Sequence, residues 1–148
     1  MRKMVFKVWF VLNRIYLFLW FNINHKKYMH RYIKFLKKIG IKVIGKPRYI
    51  NFKVSFDSTD NYSLIEIHDN CVITGRTLLL THDYSIWHAA VGVKKIKKSN
   101  PEFKRKGKII IEENALVGAD CILLPNVKVG KNAIVGAGSV VRKDVPDN

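Results

Sequence analysis

The sequence is short of cysteine, of acid and, in its second half, of histidine. Its two cysteines, Cys71 and Cys121, lie far apart with no CxxC pair or histidine cluster beside either. That pattern argues against a disulfide framework and against a zinc finger, and it leaves small buried thiols as the expected role. No histidine follows His88, so a metal site built from three histidines has nothing to draw on in the last 60 positions. Asp and Glu number 11 against 27 Lys and Arg, a formal net charge of +16. A hydrophobic fraction of 48% nevertheless excludes an intrinsically disordered chain. At 148 residues the chain is long enough for one packed core and too short for separate cofactor and substrate domains.

The positive charge is localised. Residues 1–60 hold 14 basic and 2 acidic residues, and 94–108 hold 8 and 1, whereas the remainder holds 5 and 8. Residues 4–21, MVFKVWFVLNRIYLFLWF, are apolar apart from Lys7, Asn13 and Arg14. The central charge disfavours a spanning helix, while Trp9 and Trp20 suit a headgroup boundary, so the segment reads as a membrane-surface helix. A helix packed on its own domain or on a neighbouring subunit is the alternative. No small-residue cleavage site follows, which disfavours a secretory signal. Residues 25–39 carry apolar Met29, Ile33 and Leu36 at helical spacing and end before Gly40, a C-terminal cap.

From Ile111 the chain becomes periodic. In sixes it reads IEENAL, VGADCI, LLPNVK, VGKNAI, VGAGSV, VRKDVP, each opening on Ile, Val or Leu, with a small or β-branched fifth residue. This period predicts a parallel β-helix in which three hexads close one triangular coil, the first residue of each pointing inward. Upstream, IHDNCV, ITGRTL and LLTHDY keep the register through Ile67, Ile73 and Leu79, and Ile44, Ile50 and Phe56 continue it. About four coils are expected, at 44–61, 67–84, 111–128 and 129–146, with an insertion at 85–110. Two segments result: a hydrophobic and basic helical stretch over 1–40, and a β-helix over 41–148.

These hexads, with LLLTHDYS at 78–85 and the stretch from Lys108 to Pro146, resemble the left-handed parallel β-helix acyltransferases, and more closely the sugar O-acetyltransferases of the maltose, galactoside and capsular-polysaccharide kind. The resemblance implies an all-β prism, a homotrimer, acetyl-CoA as co-substrate bound between neighbouring prisms, and no metal. It implies a reaction in bacterial surface-polysaccharide or oligosaccharide synthesis, in the cytoplasm or on the inner face of the membrane. Nucleic acid is not an expected partner, because no stacking pattern accompanies the basic runs.

By the same resemblance His82 is the general base, taking the proton of a sugar hydroxyl as it attacks the thioester, and direct transfer follows. Asp83 is the candidate to orient its ring, or else to stabilise the turn. Asp57 and Asp60, from the coil below, are rivals. His88 lies in the insertion as a substrate contact or an ordinary loop histidine. Gly118, Ala119, Ala137, Gly138 and Ser139 match positions where the pantetheine arm approaches the backbone, and Arg142 and Lys143 suit the nucleotide phosphates. The small residues of those turns also satisfy prism geometry on its own terms. The sequence departs from the family at Leu116, where Trp is frequent, at Asn126-Val127, and at Asn148, where the family continues into a tail along the CoA groove. A catalytically degenerate trimeric scaffold and an antibiotic acetyltransferase are the alternative readings.

Overall fold

The structure, a computed structural model, describes residues 2–57, 62–97 and 105–148, with side chains from residue 8 onward. Two helices, α1 (Arg2–Ile23) and α2 (His25–Ile39), precede a left-handed parallel β-helix. Its three faces are stacks of short parallel strands. The first face is β1 (Lys42–Val43), β4 (Ile65–Ile67), β9 (Ile109–Ile111) and β12 (Val127–Val129). The second is β2 (Tyr49–Ile50), β5 (Val72–Ile73), β10 (Leu116–Val117) and β13 (Ile134–Val135), and the third is β3 (Ser55–Asp57), β6 (Leu78–Leu80), β11 (Ile122–Leu123) and β14 (Val140–Val141).

The register of the strands is the register of the hexads. Val43, Ile67, Ile111 and Val129 stack in one column, Ile50, Ile73, Val117 and Val135 in a second, and Phe56, Leu79, Leu123 and Val141 in a third. All but Phe56, which packs half-buried on the core, are buried. One aliphatic residue per strand pointing into the prism is what a six-residue period produces when strand and corner repeat without insertion.

The corners explain the rest of the pattern. The fourth position of a hexad turns the chain in the left-handed region: Asn70, Arg76, Asn114, Asp120, Asn126 and Asn132 have φ between 52° and 64°. Asparagine and aspartate tolerate that conformation better than other side chains. Stacked asparagines then bond to one another, Asn70 Nδ2 to Asn114 Oδ1 at 2.8 Å and Asn114 Nδ2 to Asn132 Oδ1 at 2.9 Å. The fifth position, Cys71, Thr77, Ala115, Cys121, Val127 or Ala133, is buried at the corner. Both cysteines are free and buried, as expected, and burial pushes the Cys71 thiol up to about 12.

Two boundaries differ from the sequence reading. The inward residue of β1 is Val43, and Ile44 is exposed. The first corner, Gly45 to Arg48, is one residue longer than its counterpart in the next coil, so counting sixes back from Ile50 arrives one position late. Coil three begins at Ile109, which pairs with Ile65, so the last two positions assigned to the insertion belong to the prism.

The insertion has structure of its own. β7 (His82–Asp83) pairs antiparallel with β8 (Arg105–Lys106) as a stem, and α3 (Ser85–Gly92) follows β7. Its helix carries no hexad signal.

The two N-terminal helices form a hairpin against coil one. Asn24 caps α2 by accepting from the Lys27 N–H at 2.9 Å, and Gly40, at φ 105°, ends it. Tyr28, Tyr32 and Leu36 are fully buried, and the Tyr28 hydroxyl donates to the Ile50 carbonyl at 2.7 Å. Hairpin and prism therefore share one continuous core.

Candidate active site

His82 leaves the third face at the end of coil two, where the chain turns from stacked strand into the stem of the insertion. Three contacts fix its backbone. The buried Thr81 before it bonds to the Asp57 carbonyl through its N–H (3.3 Å) and through its hydroxyl (3.1 Å). The Gly107 N–H donates to the Thr81 carbonyl at 3.0 Å, and His82 itself pairs with Lys106 across the stem. Gly107 has to be glycine, since a Cβ there would collide with the backbone and side chain of Asn126.

The His82 side chain is 11% exposed and its Nε2 lies 3.9 Å from Asp57 Oδ2, on a carboxylate that is 42% exposed. Nδ1 is buried with no hydrogen-bond partner among the described residues, and the Tyr84 ring stands edge-on with centroids 5.6 Å apart. One nitrogen thus faces a carboxylate while the other is unsatisfied, an arrangement open to proton transfer.

Asp83 points elsewhere. Its carboxylate accepts from the Ser85 N–H at 2.8 Å and the Ser85 hydroxyl at 2.9 Å, and these two bonds hold it below the usual carboxylate range. Adjacent strand residues face opposite ways, so the neighbour of His82 in sequence closes the turn into α3 and the residue from the coil below reaches the ring. Asp60 lies outside the described residues. His88 is exposed on α3, with its N–H on the Tyr84 carbonyl.

The candidate cofactor residues occupy another edge of the prism. Gly118 and Ala119 turn the chain from the second face to the third in coil three, and Ala137, Gly138 and Ser139 do so one coil above, with the Gly138 N–H on the Ala119 carbonyl at 2.7 Å. Gly118 is buried, and a Cβ on it would meet the backbone of Ala137. Stacking by itself demands that glycine, whereas Ala137 and Gly138 are exposed. This corner and that of His82 stand at opposite ends of the third face, about 15 Å apart at the strand rise. A single prism does not bring them together. Arg142 and Lys143 are exposed just after β14, on the His82 edge and two coils up, about 10 Å along the axis. Leu116 is half-buried on the second face. Among the described residues no three of His, Cys, Asp and Glu gather as a metal-binding group.

Sequence reasoning named His82 and Asp57 but missed Lys106 and Tyr84. Lys106 is 24 positions from His82, and no local pattern signals the antiparallel pairing that joins them.

Residues 108–143 match the model of the bacterial transferase hexapeptide family, six repeats. Those residues carry the hexapeptide repeats of that family, and the hexad register and the parallel three-faced prism extend them to the earlier coils. The chain is 35% identical over 115 residues to a galactoside O-acetyltransferase of Lactococcus lactis, covering 71% of this chain and 53% of that protein. It is 36% identical over 113 residues to the protein CapG of Staphylococcus aureus, covering 76% and 61%. The chain thus spans little more than half the length of these relatives. The fold matches that of a hexapeptide-repeat acetyltransferase from Vibrio cholerae complexed with acetyl coenzyme A, with a TM-score of 0.57 at 17% identity over 91% of this chain and 77% of that one.

Proposed function

We propose that the protein transfers an acetyl group from acetyl-CoA to a sugar hydroxyl, with His82 as general base. The observation that carries this is the His82 side chain, which has its backbone fixed by Thr81 and the stem, its Nε2 facing the Asp57 carboxylate and its Nδ1 buried without a partner among the described residues. The likeness to a galactoside O-acetyltransferase supports a sugar acceptor.

The acceptor hydroxyl gives its proton to the imidazole as its oxygen bonds to the thioester carbon. The tetrahedral oxyanion then collapses, the carbon–sulfur bond breaks, and CoA leaves as thiolate to recover a proton. No covalent enzyme intermediate is required. Asp57, facing Nε2, stabilises the imidazolium formed midway, as carboxylates do in related triads. Because Nδ1 is covered in the single chain, its use as the base requires the His82 side chain or the stem to move.

A trimer completes the site on this reading. The turns at Gly118–Ala119 and Ala137–Ser139 stand a strand length from His82, and packing of neighbouring prisms brings the edge of one copy toward the histidine of another. Ile134 and Val140, large, apolar and exposed on two faces of coil four, support such packing. Arg142 and Lys143 would then meet the CoA phosphates.

The test is release of free CoA with galactosides as acceptors, read with a thiol reagent. His82→Ala should lower kcat by about 10²–10⁴-fold, and Asp57→Asn by less. Equal turnover in wild type and His82→Ala would refute the base, and no turnover with any sugar would favour the scaffold reading.

A further inference from the structure

The hairpin contains an asymmetry that the prism does not explain. The inner face of α1, with Phe10, Arg14, Leu17 and Phe21, packs on α2 and on Phe52 of coil one. Arg14, the single basic residue between positions 8 and 23, is turned inward as well, donating to the Phe52 carbonyl and the Tyr32 hydroxyl. The outer face is Val8, Val11, Leu12, Ile15, Leu19 and Ile23, each 53 to 73% exposed. Their spacing of three and four makes one stripe about 22 Å long.

One border of that stripe is aromatic and cationic. Trp9, Tyr16 and Trp20 lie along it, and α2 places a cation over each: Lys38 at 4.5 Å from the Trp9 centroid, Arg31 at 5.7 Å from Tyr16 and 4.2 Å from Trp20, Lys27 at 5.4 Å from Trp20. From Met1 to Phe56 the chain has fourteen Lys or Arg and not one Asp or Glu. Among the described residues no helix is long and apolar enough to cross a membrane.

We infer that the outer face of α1 docks in the plane of an anionic phospholipid bilayer. The apolar stripe enters the acyl boundary, the indole and phenol rings sit at headgroup depth, and Lys27, Arg31 and Lys38 meet the lipid phosphates. Charge selects this occupant over a second copy of the chain. Two hairpins packed stripe to stripe would bring together cation rows with no carboxylate in either segment to offset them, whereas anionic headgroups supply the missing sign. The inference does not depend on the acetyl-transfer reading.

Flotation of the full chain with vesicles tests it. Vesicles of phosphatidylglycerol and phosphatidylcholine in equal parts should carry the protein upward, and phosphatidylcholine alone should carry much less. Leu12→Glu with Leu19→Glu should reduce partition more than about a hundredfold, since two buried leucines are lost from the interface. Lys27→Gln with Arg31→Gln and Lys38→Gln should reduce it by roughly a hundredfold, about fivefold for each cation. The leucines face solvent and Arg31 is half-buried with a bond to the Tyr16 hydroxyl, so an unaltered circular dichroism melt of each variant shows that the fold is intact. The inference fails if wild type stays with the unbound fraction, if neutral vesicles serve as well, or if the leucine variant floats like wild type. It also fails if wild type does not float and the leucine variant has a smaller mass by sedimentation, because the stripe would then join copies of this chain.

Discussion

The prism and the helical hairpin share a core but are built on different economies of charge and period. From Ile67 the prism repeats every six residues, most repeats with an inward aliphatic, a left-handed corner at the fourth position and a small or β-branched buried fifth residue. Its stability is a sum of near-identical neighbour contacts, so a substitution that separates two coils acts locally and severely. The hairpin repeats every three to four residues, has basic but no acidic residues, and leaves the outer face of α1 exposed. The prism takes its contacts from coil to coil, while the hairpin packs on coil one with one side and leaves the other side of α1 exposed.

The largest expected effects lie in the core. If hairpin and prism form one cooperative unit, Leu36→Ala in α2 should cost about 2–5 kcal/mol and lower a single melting transition. Two separate transitions by circular dichroism would show that the hairpin folds apart. Gly118→Val should cost about 3 kcal/mol from the prism side, because a Cβ there meets the backbone of Ala137 and no flexible side chain can yield. Both substitutions should move the same transition.

Alkaline pH acts on the hairpin through Tyr32. Burial raises its hydroxyl to about 12 from the ordinary 10. Below pH 10 both folded and unfolded tyrosine are protonated and the stability is intact. As pH climbs from 10 to 12 the unfolded chain ionises first, and stability falls by about 3 kcal/mol. In Tyr32→Phe the slope of stability against pH over that window should be shallower, measured by urea unfolding at each pH. An unchanged slope would assign the alkaline sensitivity to other groups, such as the buried Cys71.

A smaller effect distinguishes two kinds of corner in the prism. Asn114, at φ 57° between two other asparagines, should cost about 1–2 kcal/mol on change to Ala, since alanine resists the left-handed turn and the amide bonds to Asn70 and Asn132 are lost. The exposed Arg76–Asp120 pair at the neighbouring corner lowers the Asp120 carboxyl through the guanidinium hydrogen bond. Asp120→Asn, which keeps the turn preference, should change stability by under about 1 kcal/mol. Equal losses at both corners would mean that charge matters more than backbone conformation there.

How far the sequence could be read follows from the range of each interaction. The nine inward positions from Ile67 to Val141 were legible because one face of each strand is buried and the corners do not vary. Ile44 was misplaced by the single extra residue between Gly45 and Arg48, which no period reveals. His82 stood out by its place at the end of a coil, but its companion did not. Asp83 is next to it in sequence and bonds Ser85, whereas Asp57, 25 positions earlier, is the carboxylate that faces the ring.

Residues 4–21 show the same division. Composition marked them as apolar, aromatic and basic at once, compatible with lipid or with protein. Only the packing of Phe10, Arg14, Leu17 and Phe21 on the core separated an inner face from an outer one. By itself the sequence determined the prism, its number of coils and its buried cysteines, because those follow from a local period and local turn chemistry. The tertiary structure alone decided that Asp57 and not the adjacent Asp83 faces His82, which glycines serve stacking and which side of α1 is left bare. Each of those depends on residues that are distant in the chain and adjacent only after the coils have stacked.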